Sequence, residues 1–126
     1  MPYDIFGFVE TAPRSPGPWV AAFDVGDIAG FPDTFSRTRF GLAKVPCSDA
    51  PAANRGLPAD ASREVCDAVE GDSDSHGHTH ITWDEIKNVD VSDSPAWQKV
   101  FVKIAELQQA SGLPDAGIRV VLWANW

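Results

Sequence analysis

The sequence predicts an α+β fold: a small antiparallel sheet, built from an N-terminal hairpin and a C-terminal strand, packed with three to four helices in a single domain over residues 1–126. Three observations predict it. Alternating segments flank the turn-rich Thr11–Pro18 near the start, one apolar stripe at helical spacing follows Ser94, and a β-branched apolar run closes the chain from Ile118 to Ala124. With 126 residues the chain suits one core rather than two, and its 44% apolar and 22% charged composition argues against wholesale disorder.

The elements follow in order. Tyr3–Glu10 alternates, with Ile5, Gly7 and Val9 on one face and Phe6 and Phe8 on the other. Trp19–Val25 returns as the second hairpin strand. Thr34 is expected to cap a short helix over Phe35–Ala43. The segment Val45–Asp60 is rich in Pro, Ala and Asp and reads as a long loop, a feature often tied to function. Ser62 caps a helix from Arg63 to about Glu70, with Gly71 as terminator. Thr82-Trp-Asp-Glu85 has the form of a capping box, so a short helix starts at Trp83. Ser94 then caps the strongest helix, with Pro95 in its first turn and Gly112 after its end. Trp97, Val100, Phe101, Ile104 and Leu107 form its buried stripe. Ile118–Ala124 reads as a central strand.

Charge is concentrated. Asp60 to Asp93 holds ten acids against Arg63 and Lys87, so this segment carries the entire net charge of −8. Such a field repels nucleic acid and attracts cations or a basic protein surface; its plain alternative is a solvated acidic face. No apolar run approaches the roughly 20 residues of a membrane span, and Met1–Ile5 shows no secretion signal, so the expected setting is cytoplasmic. Cys47 and Cys66 are then expected to be free thiols, with Cys66 packed on its helix.

All three histidines lie in Asp74-Ser-His-Gly-His-Thr-His-Ile-Thr82, at every second position. On a regular strand His76, His78 and His80 would form one row, roughly 6–7 Å apart. Two imidazoles with a carboxylate from Asp74 or Asp4 would suit one divalent zinc, manganese or iron. Three readings compete. The first is a metal-dependent hydrolase or lyase with His76, His78, Asp74 and Asp4 on the metal, Glu85 as general base and His80 in the catalytic set, acting on a small-molecule substrate. The second is an acidic binding module or inhibitor that docks on a basic protein partner. The third is a histidine pair that holds an anionic ligand without metal. Arg55 would bind an anion or pin its loop, while Trp19 and Trp126 would line a groove.

The stretches "YDIFGFVE", "NRGLPADASREV", "DSHGHTHITWDEI" and "IRVVLWANW" resemble a group of small bacterial and phage proteins. Those open with Asp-Ile-His and a following Val-Glu, carry an Arg-Gly-Leu-Pro loop, and place an Asp-x-His-Ser-His segment before a short helix. The resemblance implies matching roles for Asp4, Arg55, His76, His78, Thr82 and Glu85. It departs at Phe6, where the opening histidine would stand, and at His80, where an aromatic residue would stand. It supplies a site and no reaction.

Overall fold

The computed structural model of the chain describes residues 4–14, 18–30, 33–42 and 50–125. Tyr3, Ala43, residues 45–49 with Cys47, and Trp126 lie outside them.

Among these residues four antiparallel strands make one sheet in the order β2-β1-β4-β3: β1 (Asp4–Thr11), β2 (Val20–Asp24), β3 (Ser75–Thr82) and β4 (Ile118–Asn125). The hairpin and the closing strand are where the sequence predicts them. Strand β3 is additional, and it runs through the histidines. Among the described residues five α-helices pack on this sheet: α1 (Gly26–Ala29), α2 (Thr34–Phe40), α3 (Arg63–Glu70), α4 (Trp83–Ile86) and α5 (Pro95–Ser111). The one-turn α1 has no counterpart in the sequence reading. None of the described helices is long and apolar enough to cross a membrane.

Central β4 explains the architecture. It is β-branched and apolar, is paired on both sides, and buries every residue from Ile118 to Ala124. Ile118, Val120, Leu122 and Ala124 face the main core with Ile5 and Val9 of β1 and Ile81 of β3. The stripe of α5 covers that face through Trp97, Val100 and Ile104, all fully buried. Phe35 and Phe40 pack on Trp97 with ring centroids 5.3 and 5.1 Å away, and the Trp97 indole donates to Ser36 Oγ at 3.0 Å. Gly7 is required where β1 crosses Leu122, because a Cβ there would lie 2.2 Å from the Val121 carbonyl oxygen.

Val121 and Trp123 of β4 face the other way. They meet Val65, with Ala68 and Val69 of α3, Leu57 and Ala61 of the preceding loop, and Phe8 of β1.

Caps follow the sequence with one correction. Ser62 and Ser94 accept from the backbone three residues on, and the capping box of Thr82 and Glu85 is formed. Helix α2 is capped by Asp33, whose Oδ1 accepts from Ser36 N at 2.9 Å, rather than by Thr34. It ends at Phe40, short of the expected Ala43, because Gly41 turns left-handed at φ 74°, its N–H closes on the Arg37 carbonyl, and the Leu42 N–H closes on that of Ser36.

Candidate functional site

Strand β3 is irregular at its centre. His76 pairs with Ala124 and Thr79 with Leu122, so Gly77 and His78 together oppose Trp123. This is a β-bulge, and Gly77 holds it at φ +68°, a conformation that favours glycine. A Cβ at Gly77 would also press to 3.1 Å from Leu42 Cδ2.

The bulge breaks the expected row of histidines. Direct partners in a sheet share a face. His76 therefore shares the face of Ala124, toward the main core, while His80, paired with Val121, takes the opposite face. His78 stacks on Trp123, with centroids 6.4 Å apart and 31° between planes, and so lies on the His80 side. A regular strand would have kept all three together.

Each ring has a distinct partner. His76 Nδ1 donates to the Asp74 carbonyl at 2.9 Å, and His80 Nδ1 donates to the Gly56 carbonyl at 3.0 Å. His78 Nε2 lies 3.0 Å from Ser75 Oγ. Burial pushes the His78 imidazole below its ordinary value; neighbouring His76 acts in the same sense and Asp72 opposes both.

The outer edge of β3 is covered by the loop 50–57. Gly56 N donates to the His78 carbonyl at 2.9 Å, Arg55 N to Thr79 Oγ1 at 3.4 Å, and Thr79 Oγ1 to the Ala52 carbonyl. Arg55 completes the closure. Its guanidinium meets both carboxylate oxygens of Glu85 at 3.0 Å and donates to the His80 and Pro51 carbonyls at 3.3 Å. The Arg55 hydrogen bond, followed by the Thr82 backbone, holds Glu85 below the usual carboxylate range. Glu85 is thus a paired, weakly basic anchor in this structure.

Two carboxylates proposed as ligands stand apart. Asp4 pairs with Asn125, whose other neighbour is Ser75, so Asp4 is two strands from β3, about 10 Å across the sheet. Asp74 is exposed, and its backbone N–H bonds Asp72 Oδ1. Among the described residues no group of three or more His, Cys, Asp or Glu is arranged to hold a metal ion.

A second charged cluster lies lower on the same face. Glu10 is fully buried and directly opposite Arg119. Its Oε1 accepts from Arg119 Nε and its Oε2 from Ser62 N, both at 2.6 Å. Arg119 also donates to Asp60 Oδ1 at 2.9 Å and to the Asp60 carbonyl at 3.2 Å, and the Arg119 bond holds Asp60 below its ordinary range. Trp19 covers this network, with its ring centroid 3.9 Å from the guanidinium carbon. The sequence reading assigned Trp19 to a ligand groove and missed Glu10 and Arg119. The signal was present as two isolated opposite charges, each at an inward position of an apolar strand.

Nine of the ten acids between Asp60 and Asp93 are exposed; Asp72 alone is half-buried and accepts from Asn125 Nδ2 at 2.6 Å. Asp60 and Glu85 are paired with arginines from elsewhere in the chain. On α3, among the described residues, Glu64, Asp67 and Glu70 have one ion pair, Arg63 at 3.6 Å from Asp67 and open to solvent, and the last turn carries no base. Cys66 is exposed on this helix rather than packed, because the buried stripe runs through Val65, Ala68 and Val69; its thiol lies 3.7 Å from the Ala61 carbonyl.

No protein-family model matches the chain, and neither curated proteins nor solved structures give a match.

Proposed function

We propose that the chain is a binding module whose acidic α3 face docks on a basic protein surface. One observation carries this reading. Glu64, Asp67 and Glu70 recur three apart on the exposed side of an eight-residue helix, and their one ion pair among the described residues is the open contact of Asp67 with Arg63. Like charges at that spacing cost roughly 0.2–0.5 kcal/mol a pair, and Glu70 in the last turn opposes the helix dipole that Glu64 in the first turn favours. The helix is anchored from its other side by Val65 and Val69. A surface acidic cluster whose one ion pair is open to solvent fits recognition of an external cation-rich partner.

A metal-dependent hydrolase or lyase, the first reading of the sequence, has weaker support. It would need His76 brought around the sheet to His78, Asp4 carried across β4, and Glu85 released from Arg55.

The test uses a lysine-rich 12-residue peptide as probe and two triple variants of equal charge. Glu64→Gln/Asp67→Asn/Glu70→Gln is expected to weaken binding about tenfold, from about 0.5 kcal/mol per lost pair. Asp84→Asn/Asp90→Asn/Asp93→Asn is expected to change it less than about twofold, and wild-type affinity is expected to fall with salt. Equal losses in both variants would reduce the effect to bulk charge and overturn the proposal.

A further inference from the structure

The bulge that parts the histidines also joins two other side chains. In a regular strand, residues 75 and 78 point to opposite faces. The extra residue at Gly77 brings both to the Trp123 face, where Ser75 Oγ and His78 Nε2 stand 3.0 Å apart. We propose that Ser75 and His78 form a nucleophile and general-base pair that takes the acyl group of a small ester. This goes beyond the docking reading and does not depend on it.

Three features support the pair. The separation is that of a serine activated by an adjacent imidazole. Both members are held: Ser75 N bonds the Asp72 carbonyl at 3.2 Å, Ser75 pairs with Asn125, and the His78 ring rests on Trp123. Both side chains are also half-buried rather than sealed, so a small substrate reaches them. A glycine bulge that re-aims a side chain is a recurrent device beside active sites.

The chemistry balances without a further reagent. With the ring proton on Nδ1, His78 Nε2 accepts the Ser75 hydroxyl proton as Oγ bonds the ester carbonyl carbon. The bond from that carbon to the alcohol oxygen breaks, and the departing oxygen takes the proton from Nε2. Water then attacks the acyl-serine and gives its proton to Nε2. Oγ departs, recovers that proton, and the carboxylic acid is released.

The experiment is incubation of the intact chain with p-nitrophenyl acetate, followed by nitrophenolate release and peptide mass spectrometry. An acetyl group on Ser75, absent in Ser75→Ala and unaffected by Ser73→Ala at the exposed neighbouring serine, is the expected result. His78→Asn keeps a hydrogen-bonding group beside Ser75 but cannot act as the base, and is expected to slow Ser75 acetylation about 100-fold. Thermal unfolding verifies that each variant folds. No acetyl on Ser75 in the wild type, or the same labelling in folded His78→Asn, would overturn the proposal.

Discussion

The two faces of the sheet are closed by different physics. The face of Val120 and Leu122 is covered by the 17-residue α5 together with α2 and α4, and its core is almost wholly apolar. Among the described residues, the face of Val121 and Trp123 is covered by the eight-residue α3, the loop before it and Trp19, with three fully packed apolar residues. There the hydrophobic area is small, and directional contacts fix the covering segments instead. Arg119 joins Glu10 to Asp60, Arg55 joins the 50–57 loop to Glu85 and His80, and the bulge aims Ser75 and His78. The comparison teaches that polar chemistry gathers where burial alone is insufficient, and that the candidate sites lie on that face.

The sharpest way to break this contrast is to remove its buried cation. Arg119→Ala leaves Glu10 charged and unpaired in a dry site, and is expected to cost about 3–5 kcal/mol in urea unfolding. The double replacement Glu10→Gln/Arg119→Met is expected to cost less, since no buried charge is stranded. A smaller effect is expected at the bulge. Gly77→Ala forces a side chain into the left-handed region against Leu42, for about 1–2 kcal/mol by the same assay. Arg55→Ala is expected to cost about 1 kcal/mol, because its pair with Glu85 is partly exposed. Its distinguishing sign is faster hydrogen exchange at Gly56 N as the loop leaves β3.

The smallest effect is a pH dependence near neutrality that comes from the α3 face. His78 has its value lowered by burial, so between that value and the ordinary 6.5 the unfolded chain binds more protons than the folded one. Stability is therefore expected to fall as pH drops below about 6.5, and His78→Gln is expected to flatten that slope. Glu85 and Asp60, both lowered by arginine, add losses only further down, below their ordinary 4.5 and 3.8.

The same contrast explains what the sequence made legible. The covering of the apolar face was readable because Trp97, Val100 and Ile104 repeat at helical spacing and Ile118–Ala124 is a continuous β-branched run. The other face was harder. Strand β3 shows no apolar residue before Ile81, because its edge is satisfied by polar loop contacts, so alternation gave no strand signal. The even spacing of the histidines implied one row, yet facing is set by register against β4, which a single strand's sequence does not contain. Glu85 and Arg55 were visible as polar residues of interest, but their mutual pairing spans 30 positions and depends on the loop closing over β3.

The central claim is that the Gly77 bulge divides the histidines between the two faces. Nuclear Overhauser contacts from the three imidazole rings test it most directly. The account predicts contacts from the His78 ring to the Trp123 indole, with none from the His76 ring to that indole. Contacts to Trp123 from both His76 and His78 would restore a single row, contradict the bulge, and return the metal-centre reading to first place.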